Sequence, residues 1–284
     1  MIPIRVIRRR IRSIQSTAKI TRAMEMIAAS KMRQAQLRVL AARPYAEKMH
    51  EVVAHLAVQA QPGEELHPLL QRREVKRVAV VHIAADRGLC GGLNANVNRM
   101  TANFVLEQSM PAALITVGRR GRDFMSRYGR DILAEFTQLG DRPSLLDTIP
   151  ISRVVIDDYT NETIDQVYLA YTRFITTVNQ QPMLQELLPI EPAKMERTEN
   201  LEYIYEPSAP GVLEHLLPRY VEMQVYHAIL ESIASEQSAR MVAMRNATDN
   251  ANDMIEELTL IYNKARQELI TKELLDIAGG VTQQ

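Results

Sequence analysis

The chain has no tryptophan, four phenylalanines, one cysteine and no net charge, since 34 Lys plus Arg balance 34 Asp plus Glu over 284 residues. Each shortage excludes something. With Cys90 alone there is no intramolecular disulfide and no cysteine-built zinc site, and the chain fits a reducing compartment. Charge balance argues against a protein that coats nucleic acid, which carries a basic excess. No apolar run reaches the length of a membrane-spanning helix. Aromatics make up 5% while methionine reaches 14, which favours long helices with adaptable side chains over a carved small-molecule pocket. The N-terminus is Arg-rich and acid-poor, as in a transit peptide, but its pattern runs on unbroken into a helix and it is read as part of the fold.

What is present falls into three segments. From residue 1 to 60, apolar side chains recur at Ile7, Ile11, Ile14, Ala18, Ala28, Met32 and Ala35, a heptad-like stripe interrupted by Thr21 and Glu25. Arg5, Arg8, Arg12, Lys19 and Arg22 form a cationic stripe beside it. Pro44 is expected to kink this helix or mark a join. Residues 76–200 change period. Val78–Ile83, Ala112–Val117 and Ile132–Phe136 read as strands. Arg119–Arg130, Pro143–Asp158 and the stretch after Asp86–Asn94 to about Gln108 read as helices. Val167–Thr177 and Met183–Leu188 read as a further pair of strands. This alternation implies an α/β fold with a mostly parallel sheet. Residues 189–210, with several prolines and acids, read as a connector.

The third segment, 210–278, has Pro218 near its start and then no Gly or Pro until Gly279–Gly280, the expected C-cap. Met244, Ala247, Ala251, Met254, Leu258, Ile261 and Ala265 form a coiled-coil seam with small knobs. A helix of about 50 residues is roughly 75 Å long and one of about 65 roughly 100 Å, too long for one small domain to bury. The simplest assembly folds the two long helices into an antiparallel coiled coil flanking the α/β domain. Residues 1–43 hold eleven basic side chains and only Glu25 as an acid, whereas the last helix carries Asp249, Asp253, Glu256, Glu257, Glu268, Glu273 and Asp276. Opposite charges of this kind set orientation more than stability. A cysteine pair between Ile11 and a seam residue such as Ile261 is expected to crosslink in some register.

Chemistry-bearing constellations are sparse. DRGLCGGLN (86–94) follows a strand and opens a helix, the setting of a phosphate-cradling loop. It is neither GxGxxG nor GxxxxGK[ST], and no acid stands where a ribose ligand belongs, so a turn-and-packing role is favoured. The histidines His50, His55, His67, His82, His215 and His227 are scattered, and no metal site is read from them. Asp157–Asp158 and Glu256–Glu257 are adjacent and point apart, as on solvated helix faces rather than in acid–base pairs.

Several stretches resemble the γ subunits of F-type ATP synthases: KITRAMEMIAASKMRQAQ (19–36), DRGLCGGLN (86–94), YIYEP (203–207), RYVEMQVY (219–226) and the long run 235–277. They occur in all three segments in the family's order. The last shares even outward residues such as Asn246, Thr248, Asn250 and Asn263, which a common seam alone does not explain. Nothing resembles the cysteine-bearing insert of chloroplast forms.

The resemblance implies a non-catalytic rotor shaft with no cofactor: an antiparallel coiled coil inside a ring of three α and three β subunits. A Rossmann-like α/β domain at its base meets the c-ring and the ε subunit. Rotation of the shaft would couple proton flow through the c-ring to ATP synthesis or hydrolysis at the β subunits. Residue by residue, it implies that Met24, Arg240, Gln267 and Thr271 touch the α/β ring, and that Tyr203 and Tyr205 lie toward the c-ring and ε side. It further implies a peripheral place on the cytoplasmic side of a bacterial cell membrane. The alternative from the residues alone is a dinucleotide-dependent α/β enzyme with a coiled-coil oligomerisation arm, and a pure coiled-coil scaffold is a third option.

Overall fold

The computed structural model describes residues 3–59, 67–128, 131–190 and 209–281. Most of the connector expected at 189–210, with Tyr203 and Tyr205, lies outside the described residues. Two helices dominate, α1 (Ile4–Gln59) and one of 73 residues, Ala209–Val281. The chain divides into two units. One takes α1 up to Ala28 together with the last helix from Arg240, and the other comprises Ala29–Ala239.

The larger unit holds β1 (Val78–Ile83), α2 (Leu93–Glu107), β2 (Ala112–Val117), α3 (Arg119–Arg127), β3 (Asp131–Phe136), α4 (Leu145–Thr160), β4 (Gln166–Phe174) and β5 (Gln180–Leu188), followed by the start of the long helix, α5 (Ala209–Val281). The strands form one sheet in the order β3-β2-β1-β4-β5, with β5 alone antiparallel. β1 and β2 occupy the expected apolar runs. A strand covered on both faces needs an unbroken apolar sequence, and β1 is buried at every position. β4 stops earlier than expected because Ile175 and Thr176 turn back, both donating to the Asn179 carbonyl. α3 also ends early, where the Tyr128 N–H bonds the Met125 carbonyl.

Alternation along the strands sorts the core. Val80 and Leu114 face α2 and α3, with Val105 and Met125 against them. Ala79, Val81, Ile83, Ile115 and Val117 face the other way, onto Val53 and Leu56 of α1, Ile151 and Val155 of α4, and Leu217, Val221 and Ile229 of α5. α1 passes through Pro44 as one helix rather than breaking there. Pro44 and Leu40 are both exposed, so water reaches the Leu40 carbonyl that loses its helical partner. α5 likewise continues through Gly279 and Gly280, which weaken a helix without stopping it.

One polar island lies in the α2-facing layer. His82 is fully buried on β1, with Nε2 2.8 Å from Asn98 Oδ1 and Nδ1 2.9 Å from Thr101 Oγ1, both on α2. Burial holds the ring neutral, its pKa lowered from 6.5 to about 4, with the Asn98 bond opposing the shift. A neutral ring donates from Nε2 to Asn98 and accepts the Thr101 hydroxyl at Nδ1.

In the smaller unit the burial stripe of α1 runs through Ile7, Ile11, Ile14, Ala18, Thr21, Glu25 and Ala28. On α5 it runs through Met244, Thr248, Ala251, Ile255, Leu258, Tyr262 and Ala265. The seam expected on α5 thus needs correction at alternate positions. Met254 and Ile261 are exposed, and Ile255 and Tyr262 take their places. Thr248, expected to face outward, is buried. The reason is the partner: Thr21 Oγ1 and Thr248 Oγ1 lie 2.7 Å apart, each also bonding a carbonyl of its own helix. Glu25, the other interruption in the stripe, pairs with Arg245 at 2.9 Å. Arg8 lies over the Tyr262 ring at 6.0 Å. Contacts advance along α1 as they retreat along α5, so the helices are antiparallel. Charge contributes differently from expectation. The Glu25–Arg245 ion pair puts the acid on α1 and the base on α5, while among the described residues Arg5, Arg9, Arg10, Arg12, Lys19 and Arg22 stay exposed and make no ion pair.

Two measurements check these assignments. The unfolded histidine titrates near 6.5 and the folded one near 4, so the unfolded chain binds the extra proton. Thermal stability is therefore full above about pH 6.5 and falls as the pH drops toward 4, and His82→Gln is expected to flatten that slope. In the helical pair, cysteines at Ile11 and Leu258 should form a disulfide readily, whereas Ile11 with the outward-facing Ile261 should do so poorly. The reverse ranking would reject the register.

Candidate functional site

The order β3-β2-β1-β4 reverses direction at β1, and folds of this kind bind ligands at the carboxyl ends of the strands there. The loop after β1 lies at that place. Asp86 Oδ1 accepts the Arg119 N–H at 2.9 Å and Oδ2 accepts the Gln138 N–H at 3.0 Å. These amides lie at the start of α3 and just past β3, and the chain's own carboxylate holds them. Asn94 ties the loop from inside, accepting the Ala85 N–H at 3.0 Å and donating to the Arg87 carbonyl at 3.3 Å. Gly118, at φ 93°, brings β2 so close that a Cβ would lie 2.0 Å from the Ala84 oxygen. α5 covers the opening with Ile229, Ser232 and Ile233.

What remains is a crevice of about 50 Å³, against the roughly 300 Å³ or more of an ordinary ligand pocket. A wider opening of about 430 Å³ beside it is lined by Asp86, Asp141 and Glu236 as well as by Arg87 and Arg119, a mixture that converges on no single ligand. Among the described residues no His, Cys, Asp and Glu cluster is suited to a metal.

The other candidate surface is the helical pair. Met24 and Arg240 are both half-buried, and the register sets them within about two helical turns of each other. Gln267 and Thr271 are exposed and one turn apart, but about 40 Å further along α5 than Arg240. The four expected contact residues therefore form two groups. The register carries Ile4, where α1 begins, opposite about Ala265. Beyond it every residue of α5 from Arg266 to Leu275 is exposed, including Ile270 at 43%, Leu274 at 61% and Leu275 at 66%. An apolar helix end left this open in its own chain is shaped for a partner. Gln267 and Thr271, which the family resemblance assigns to the ring, lie on this stretch.

A family profile described as ATP synthase matches residues 3–282. The ATP synthase gamma chain of Dehalococcoides mccartyi is 64% identical over 280 residues, covering 99% of this chain and 98% of that one. The chain belongs to the ATP synthase γ chain family. The gamma chain of Cupriavidus necator is 50% identical over 283 residues, covering 96% and 97%. Among solved structures, a chain of the central stalk and c-ring of the Tetrahymena thermophila mitochondrial ATP synthase is 28% identical with a TM-score of 0.63, covering 80% of this chain and 99% of that one. A chain of the Euglena gracilis mitochondrial ATP synthase, at 21% identity, shares the fold with a TM-score of 0.69 over 98% and 93%.

As a γ chain, the protein is the central-stalk rotor of an ATP synthase, a stalk subunit rather than a catalytic one. It therefore works as part of a membrane-associated complex. No helix among the described residues is long and apolar enough to cross a membrane.

Proposed function

We propose that this γ chain turns inside a ring of three α and three β subunits and passes proton flow through the c-ring to the nucleotide sites of the β subunits. The exposed apolar end of α5 carries this reading. Leu269, Ile270, Leu274 and Leu275 are uncovered, and burying such side chains is worth roughly 1.5–3 kcal/mol each. A sleeve of surrounding subunits would supply that burial.

Gln267 and Thr271 would meet the ring at this end, and Met24 and Arg240 would meet it nearer the α/β domain. Tyr203 and Tyr205, outside the described residues, remain assigned to the c-ring and ε side by family resemblance. The opposite faces of the helical pair differ, one rich in the arginines of α1 and the other in the acids of α5, so each orientation offers a given β subunit different contacts. A shaft can shift a site among its states only through such differences. The complex would lie on the cytoplasmic side of a bacterial membrane, with this chain peripheral to it.

Co-expression of the tagged chain with α and β subunits tests the reading. A stoichiometric complex is expected whose ATPase activity needs this chain and whose activity or coupling is lost when residues beyond about Arg266 are removed. Purification of the chain alone as a stable oligomer that binds nucleotide would favour the dinucleotide enzyme instead. Met24→Lys, which sets a cation on the lower contact group, is expected to lower the coupling of hydrolysis to pumping more than hydrolysis itself. Equal losses of the two would refute that role for Met24.

A further inference from the structure

β4 outruns its neighbour. Gln166–Ala170 pair with β1, but Tyr171–Phe174 pair only with β5 on the other side. The backbone groups on the open side need partners, and α5 supplies them with side chains. Ser232 Oγ accepts the Thr172 N–H at 3.3 Å, and Ser235 Oγ donates to the Thr172 carbonyl at 3.0 Å. Glu231 Oε2 accepts the Phe174 N–H at 2.8 Å, and Ser238 Oγ donates to the Thr177 carbonyl at 2.7 Å. Glu231, Ser235 and Ser238 are buried. A stretch of helix thus takes the place of a missing strand.

The residue types go against local preference. Serine is a mediocre helix former that competes for backbone bonds, and burying a carboxylate is costly unless it is bonded. Elsewhere α5 meets the layer through Leu217, Val221, Val225 and Ile229. Apolar burial is non-directional. It holds a helix against a sheet while resisting rotation about the helix axis only through side-chain fit. Hydrogen bonds weaken steeply as they bend, so four of them along one helix face, three to β4 and one to the turn after it, fix both the angle and the height of α5 on β4. Another polar link from the layer to the helices, Asp141 to Lys31 and Gln237, includes an ion pair open to water and holds angle less firmly.

We propose that this ladder is the joint through which twist passes between the α/β layer and α5, with Glu231, Ser232, Ser235 and Ser238 as positioning residues. The proposal rests on the rotor role. The same helix, α5, runs on unbroken to Val281.

The test uses the whole ATP synthase in sealed vesicles, with hydrolysis and ATP-driven proton uptake read on one preparation. If the unmodified complex drives no uptake, the rotor reading fails and not the joint. Ser235→Ala with Ser238→Ala is expected to keep hydrolysis near the parent rate while moving fewer protons per ATP, since two directional bonds are lost. Ser238→Ala alone should shift the ratio the same way by less, and it decides the matter if the double variant does not assemble. Thr172→Cys with Ser235→Cys, in the Ser238→Ala background, should regain the parent ratio when oxidised and lose it when reduced. An unchanged ratio in the assembled variant, or a lowered ratio indifferent to the disulfide, overturns the proposal.

Discussion

A helix of 73 residues gains most of its stability from what it packs against, not from its own backbone bonds. α5 meets that demand in three ways along its length. Leucines and valines press it onto the sheet, a row of hydroxyls and a carboxylate stitches it to β4, and a stripe of small and aliphatic residues pairs it with α1. Past Ala265 the described residues offer it nothing more, and Leu269, Ile270, Leu274 and Leu275 are left in water. The strand order and the site of the loop after β1 are arranged around this one element.

The α/β layer belongs to a class whose members hold dinucleotides where the strand order reverses, yet here that place is closed from within. Asp86 engages the Arg119 and Gln138 amides beside the loop after β1. Gly118 permits a strand contact too tight for any side chain, and α5 lies across the mouth. An enclosing scaffold has become a solid one, whose face is used for attachment. The buried His82–Asn98–Thr101 set adds to the rigidity, since every polar atom of the imidazole is engaged without charge.

Much of this was legible in the sequence, and the exceptions have physical causes. VAVVHI and AALITV are apolar but for His82 and Thr116 and are preceded by charge or proline, so β1 and β2 could be placed to the residue. The seam of α5 was misplaced at alternate positions because Met254 and Ile255, like Ile261 and Tyr262, are neighbours of similar hydrophobicity, and only the partner helix decides between them. Thr21 and Glu25 read as interruptions of the stripe because their counterparts, Thr248 and Arg245, lie more than two hundred residues away in the chain. The ladder on β4 gave no signal at all. Serines in a helix look like solvent-facing filler, and nothing local tells that a strand end will arrive beside them. Of the expected contact residues, Tyr203 and Tyr205 fall outside the described chain, and the other four separate into two groups because Gln267 lies many turns beyond Arg240.

The hydroxyl pair Thr21–Thr248 also acts as a gauge of length. Glu25 pairs with Arg245 on one side of it and Arg8 lies over Tyr262 on the other, so α1 and α5 run near-equal stretches of chain from contact to contact. Adding or deleting a residue in only one of those stretches would rotate its stripe by about 100° and part the threonines. The pairing would survive such a change only if both helices gained or lost the same number of residues.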